Sequence, residues 1–168
     1  MSWSANYLYH IEYFCFMKNP FGFGERKCTK QDYSFCYNLT KKTLFPFIAK
    51  FVKPDKKRFD NDFHKVYRQI MILVKGKQRI GFYHITKDDH ERNTLYVVRI
   101  FLLPSYQRRG IGRFLMGYFE TLGHRKIKLQ VWENNPAFKF YKKIGYRVKQ
   151  KKDHRYLMEK ILKRSNSN

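Results

Sequence analysis

The sequence predicts one α+β domain. Three observations carry this prediction: helical spacing of apolar residues in the first third, strand-like apolar runs in the middle, and an alternation of the two in the last third. The predicted order is helices, then a meander of strands, then β-α-β-α-β. A chain of 168 residues has the length of one domain, since domains hold about 100–200 residues.

The first part of the domain is predicted to be mainly helical. A short strand is expected at residues 25–29, and Thr29–Asp32 resembles a capping box that starts a helix. A second helical stretch covers residues 45–52, and Pro46 must lie in its first turn or kink it. A third helix follows Pro54-Asp55.

The rest of the chain is predicted to alternate between strands and helices. Apolar and β-branched runs predict strands at residues 66–75, 79–86, 95–103 and 126–131, and a closing hairpin of residues 146–149 and 155–161. Helices are predicted at residues 111–122, which end before Gly123, and at residues 137–143, which end before Gly145.

Composition divides the chain into three parts. Residues 1–24 hold eight aromatic residues without a clear period, and we treat them as an extension. The extension either packs on the domain or includes residues that precede the true start of the protein at Met17. Residues 25–162 form the domain, and residues 163–168 are a polar tail.

Charge is the most unusual property of the sequence. Thirty-six Lys and Arg against 13 Asp and Glu give a formal net charge of +23. Such a field attracts anions, including nucleic acid, ribosomes and phosphorylated ligands, although a lysine-rich surface that only aids solubility is the alternative.

Other features exclude several classes. The longest unbroken apolar run is Ile70–Val74, far short of the ~20 residues of a membrane span, so no membrane association is expected. Three scattered cysteines without a C-x-x-C pair argue against a disulfide framework and against a metal site. They favour a reducing compartment, and we expect the cytoplasm.

The segment from Gln107 to Arg113 is the most informative part of the sequence. Two glycines, Gly110 and Gly112, stand between a predicted strand and a predicted helix. The backbone can approach a ligand closely there, and the N–H groups at a helix start form a phosphate site. The segment lacks the G-K-[ST] of a P-loop and the third glycine of a Rossmann fingerprint.

These residues resemble the GNAT superfamily of N-acetyltransferases. Gln107-x-x-Gly110-x-Gly112 matches the Q/R-x-x-G-x-G/A motif of that family. Downstream, Leu129-Gln130-Val131 and the segment from Asn135 to Tyr146 resemble the "LQV…NPA" region of a bacterial branch. The resemblance covers about residues 25–162. It implies a GNAT fold: a mixed, mostly antiparallel sheet, splayed between two strands and flanked by helices.

The resemblance also implies an acyltransferase that uses acetyl-CoA as co-substrate. By position, the segment Gln107, Arg108, Arg109, Gly110, Ile111, Gly112, Arg113 would bind the cofactor, with the backbone amides of residues 108–113 on the pyrophosphate. Leu102 and Leu103 would offer backbone groups to the acetyl and pantetheine. Asn135, preferred over Asn134, would contact the CoA arm, with a helix-capping role as the alternative for either. Tyr141 stands where the family places its general acid, although a core aromatic is the alternative.

The general base stays open. Many family members carry Glu eleven residues before the Gln107 position, and here that position is Tyr96. A water chain or a base on the substrate could replace it. The remaining candidates, each equally readable as a surface or turn residue, are His84, Asp89, His90, Glu91 and Glu133.

The sequence does not name the acceptor amine, but the net charge disfavours polycations such as polyamines. A protein amine in an acidic context, a ribosomal protein and aminoacyl-tRNA are the candidates. The alternative function is a basic GNAT-like module that binds RNA or ribosomes with little or no catalysis. A monomer or a homodimer is expected.

Overall fold

A computed structural model describes residues 19–163 of the chain. Its helices are α1 (Tyr33–Thr43), α2 (Phe45–Ile48), α3 (Lys56–Val66), α4 (Ile111–Glu120) and α5 (Ala137–Lys143). Its strands are β1 (Gly24–Lys27), β2 (Ile70–Lys75), β3 (Gln78–Lys87), β4 (Thr94–Leu102), β5 (Lys126–Trp132), β6 (Arg147–Lys152) and β7 (Arg155–Ile161). Most of the aromatic extension, residues 1–18, and residues 164–168 of the tail lie outside the described residues.

The strands form one seven-stranded sheet in the order β1-β2-β3-β4-β5-β7-β6. Five of the neighbouring pairs are antiparallel, and β4 with β5 is parallel. The parallel pair arises because helix α4 crosses over between these two strands. The predicted α+β class with a mixed, mostly antiparallel sheet is therefore confirmed.

Each face of the sheet carries its own apolar core. The first core lies on the face of α4 and α5, and its fully buried members include Leu115, Phe119 and Ile127. The second lies on the face of α1 and α3, where Cys36 and Phe63 are fully buried. A ligand between β4 and β5 would therefore meet a different environment on each side.

The predicted helix starts near the N-terminus are confirmed. The Thr29 N–H donates to the Asp32 carboxylate at 2.9 Å, and the Asp55 carboxylate accepts the N–H of Lys57 at 2.8 Å. Buried Asp32 also accepts from Arg26 and from Arg79 on β3. These charge-assisted bonds hold the pKa of Asp32 well below its usual range and fix the start of α1 to the sheet.

Several predicted boundaries are wrong. The helix expected over residues 45–52 ends at Ile48, and the strand expected at residues 146–149 covers Arg147–Lys152. The strand expected from Val66 begins only at Ile70, because α3 continues to Val66 and a 3₁₀ turn follows at Tyr67–Gln69. Val66 follows Phe63 by three residues and packs against the same core, so it continues the helical period of α3.

The last residues of the extension pack on the domain. Phe23 is buried in the first core, and the rings of Phe21 and Phe23 lie 5.7 and 5.9 Å from the ring of Phe114 on α4. Within residues 19–163 no helix has both the length and the apolar character that a bilayer crossing needs.

Candidate functional site

The sheet opens between its two central strands. Strands β4 and β5 pair only from Thr94 with Lys126 to Val97 with Leu129. Beyond this point β4 continues to Leu102, whereas β5 continues to Trp132 and is paired there with β7 only. The two strands diverge into a gap, and β4 has an unpaired edge along it.

A β-bulge marks the start of the gap. On β3, His84 pairs with Arg99 and the next residue, Ile85, pairs with Val97, so Val98 is the extra residue on β4. A bulge bends its strand and increases the local twist. It therefore helps to turn β4 away from β5 directly after their last pair.

The unpaired edge of β4 presents the peptide of Leu102 to the gap. The N–H of Leu103 donates to Ile80 on β3 at 2.9 Å, and antiparallel alternation turns the N–H and C=O of Leu102 the other way. Gly81 stands opposite Leu102, and a Cβ there would lie 2.4 Å from the Phe101 carbonyl oxygen. Only glycine allows this close approach of β3 to β4.

The segment predicted to bind phosphate, residues 107–113, is here called the phosphate loop, and it lies just beyond the open end of β4. Gly110 has φ of +90° and precedes α4, and Arg108 is also left-handed at φ of +59°. The first hydrogen bond of α4 joins the N–H of Phe114 to the carbonyl of Gly110 at 3.0 Å. The N–H groups of Ile111 and the next two residues, Gly112 and Arg113, therefore have no partner within the helix.

This helix start suits an anion. Its free N–H groups carry the positive end of the helix dipole. The neighbouring side chains of Arg108, Arg109 and Arg113 are exposed and add positive charge. The predicted pyrophosphate residues thus lie together at the mouth of the gap.

Two further predicted residues serve the fold here. The Gln107 side-chain amide donates to the Leu102 carbonyl at 2.8 Å. The Asn135 side chain accepts the N–H of Ala137 at 2.9 Å and so caps α5. The backbone groups of Leu103 are also engaged, the N–H with Ile80 and the carbonyl with Tyr106.

Tyr141 lies on α5 against the first core. Its ring centroid is 5.2 Å from that of Phe140 and 5.9 Å from that of Tyr146. Burial raises the pKa of Tyr141 to about 12, so its hydroxyl is protonated at neutral pH and can donate a proton.

Two of the acidic candidates for a general base, Glu91 and Glu133, are held in ion pairs. Glu91 is paired with Lys126 at 2.5 Å and with Lys128 at 2.5 Å. Glu133 is paired with Lys151 at 2.7 Å and with His154 at 2.9 Å. Such pairing lowers the pKa of both carboxyls and weakens them as bases.

The remaining candidates differ in burial. Asp89 and His90 are exposed in the loop before β4. Burial and the nearby Arg99 lower the pKa of His84 to about 4, and burial raises the pKa of Tyr96. Among residues 19–163, no group of three or more His, Cys, Asp or Glu is placed to hold a metal ion.

Sequence reasoning missed an aromatic bridge on the side of the gap that faces α1 and α3. Phe51, which follows α2, stacks on His154 in the β6–β7 turn at 4.2 Å and on Trp132 at the end of β5 at 5.7 Å. Arg155 lies over the Trp132 ring at 5.1 Å. The bridge joins the helices of one half of the sheet to the strands of the other, and no local spacing predicts such a contact.

The part of the chain that holds the gap and the phosphate loop matches a known family. Residues 67–148 match the model of the family described as the acetyltransferase (GNAT) domain. The fold is that of the GNAT acetyltransferases. The matched segment runs from β2 to the start of β6 and includes the gap, the phosphate loop and α5. No curated protein was found to match the sequence.

Solved structures with the GNAT fold superpose on most of the chain. The PaiA N-acetyltransferase of Thermoplasma acidophilum, in complex with coenzyme A, has a TM-score of 0.63 at 18% identity, covering 83% of this chain and 98% of its own. PH1933 of Pyrococcus horikoshii OT3 has a TM-score of 0.66 at 18% identity, covering 84% and 99%. The N-acetylglutamate synthase of Neisseria gonorrhoeae, with coenzyme A and N-acetyl-glutamate, has 0.64 at 11% identity, covering 84% of this chain and 35% of that one.

Proposed function

We propose that this protein is an N-acetyltransferase that uses acetyl-CoA and transfers the acetyl group by direct attack of an acceptor amine. One observation carries the proposal: the gap between β4 and β5 leads straight to the free N–H groups at the start of α4. A long ligand with a diphosphate at one end fits this combination of an open strand edge and an anion site.

The fit of acetyl-CoA rests on this chain's own groups. The N–H groups of residues 108–113 hold the pyrophosphate, and exposed arginines there balance its charge. The pantetheine lies along the unpaired edge of β4, as a further strand would. Two of the GNAT structures above, from Thermoplasma acidophilum and Neisseria gonorrhoeae, contain coenzyme A, which supports this assignment.

Two groups act on the reacting atoms. The amine forms a bond to the thioester carbonyl carbon, and the N–H of Leu102 donates to the oxygen that becomes negative. As the C–S bond breaks, Tyr141 donates its proton to the thiolate. The raised pKa of Tyr141 keeps its hydroxyl protonated at neutral pH, so the proton is present when the thiolate forms. The attacking nitrogen loses its own proton to water, and water returns a proton to the Tyr141 oxygen.

The alternative function is a basic module that binds RNA or ribosomes. One observation favours it, since every residue of edge strand β6 is exposed and four of the six are Lys or Arg. Two of these lysines, Lys149 and Lys151, form ion pairs with Glu159 and Glu133. That pairing reduces the charge available to a phosphate backbone, so we prefer the enzyme.

Calorimetric titration with acetyl-CoA tests the proposal, with CoA and ATP as comparison ligands. We expect micromolar binding of acetyl-CoA that is lost in Gly112→Trp, because the indole covers the first turn of α4. The matched control is Gly117→Trp on the same helix, where a Cβ meets no atom within 4 Å. Binding of neither CoA species to the wild-type protein would reject the enzyme.

A further inference from the structure

Arg99 lies where the gap between β4 and β5 begins. It follows the bulge at Val98, just after the last β4 residue that pairs with β5. Leu95 and Val97 belong to the core under α4, whereas Phe101 and Leu103 pack on the core under α1 and α3. The extra bulge residue therefore turns the Arg99 side chain to the face of α1 and α3.

Among the described residues, the charge of Arg99 has no close counter-ion. None of the hydrogen bonds or ion pairs found within residues 19–163 involves its guanidinium. Burial lowers the pKa of Arg99, and the Asp62 carboxylate opposes that effect. A guanidinium offers five N–H donors, and because Arg99 is only partly buried these donors are open to a ligand.

His84 stands directly opposite Arg99 on β3. It is 4% exposed, its Nε2 lies 3.0 Å from the Gln69 carboxamide oxygen, and its Nδ1 has no partner among the described residues. When the Gln69 carboxamide turns so that its NH₂ group donates to Nε2, Nδ1 carries the ring proton and can donate it. Two adjacent groups thus have unused hydrogen-bonding capacity.

We infer that Arg99, with His84 beside it, binds an anionic group of the acceptor, a carboxylate or a phosphate, while the acceptor's amine enters the gap. The inference rests on the proposed acetyltransferase function and names its substrate class. A guanidinium pairs with either anion through two parallel hydrogen bonds. The net charge of +23 favours the approach of such an acceptor over that of a simple polyamine.

Acetylation of matched amines tests this inference, with release of the CoA thiol as the readout. The pairs are alanine and alaninamide, an acidic tripeptide and its Gln-substituted form, and phosphoethanolamine and ethanolamine. We expect at least one anionic member to exceed its neutral partner by about tenfold or more in kcat/KM. The pair that responds separates carboxylate from phosphate recognition.

Arg99→Gln should remove the preference for the anionic amine by raising its KM, with kcat nearly unchanged. Arg99→Lys should retain part of that preference. Arg92→Gln is the control, since it removes the same charge from an exposed loop residue. Thermal melting verifies that each variant folds.

Two results would overturn the inference. One is a wild-type enzyme that uses no anionic amine better than its neutral partner. The other is an Arg99→Gln variant that keeps the preference. Acetyl-CoA titration is run on the same samples, so intact cofactor binding with no anion preference rejects the acceptor site alone. Absent cofactor binding rejects the proposed function itself.

Discussion

The side-chain amide of Gln107 donates a hydrogen bond to the carbonyl oxygen of Leu102 over 2.8 Å. Leu102 ends the open edge of β4, and Gln107 begins the phosphate loop. This bond joins the two parts of the proposed cofactor site. It also occupies the Leu102 carbonyl, so that the N–H is the backbone group of Leu102 that remains for a ligand.

Gln107→Ala should therefore loosen the loop and weaken acetyl-CoA binding by about five- to tenfold, the cost of one hydrogen bond that holds a site in place. Calorimetry measures this change in Kd. Gln150→Ala, on the exposed strand β6, is the control and should bind as the wild type does. Equal affinities for both variants would show that Gln107 does not organise the loop.

Tyr141→Phe should lower kcat by about 10²-fold or more while leaving the Kd of acetyl-CoA unchanged, because it removes only the proposed proton donor. With a pKa of about 12 in the folded protein, ionisation of Tyr141 should produce no fall in kcat between pH 7 and pH 10. Steady-state kinetics across this range measure both effects.

The matched control is Tyr146→Phe, which makes the same chemical change 5.9 Å away. The Tyr146 hydroxyl is buried without a hydrogen-bond partner among the described residues. Its removal should leave kcat intact and stabilise the protein by about 1 kcal/mol. Loss of turnover in both variants, or in neither, would remove Tyr141 from the mechanism.

Glu25 should make the stability of the protein depend on pH. Its carboxylate accepts a hydrogen bond from Tyr83 at 2.6 Å, but burial raises its pKa from 4.5 to about 7. Because the folded pKa exceeds the unfolded one, the stability that Glu25 contributes is fully present below pH 4.5 and is lost as pH rises through 7.

Glu25→Gln should remove that dependence. Relative to the variant, the wild type should lose on the order of 2–3 kcal/mol of unfolding free energy between pH 5 and pH 9. Urea unfolding at both pH values measures it, with Asp89→Asn in an exposed loop as the control. Parallel pH curves for wild type and Glu25→Gln would refute the assignment.

Local patterns predicted most of the elements. The period of α4 and the glycine that follows α5 were visible in the sequence, and helix α5 was predicted with its observed bounds, Ala137–Lys143. The boundary error at Val66 arose because an apolar residue at a helix end also suits the start of a strand. The resemblance, not periodicity, predicted the gap in the sheet.

The position of Arg99 and the contact of Phe51 with Trp132 could not be predicted from local patterns. Simple alternation along β4 would put Arg99 on the same face as Val97, and one extra residue in the bulge reverses that. Likewise, the contact of Phe51 with Trp132 joins residues 81 positions apart, from 51 to 132. Both depend on how strands and helices pack, which neighbouring residues in the sequence do not specify.

The short pairing of β4 with β5 has a mechanical consequence. The sheet consists of two sub-sheets, β1–β4 and β5–β7. Backbone pairing joins them over four residue pairs, which involve Thr94 to Val97 on β4. The gap is thus a built-in line of weakness. A ligand that bonds to both edges of the gap would hold the two sub-sheets together and make their separation less frequent. Amide hydrogen exchange along residues 126–129 would then slow as the ligand concentration rises.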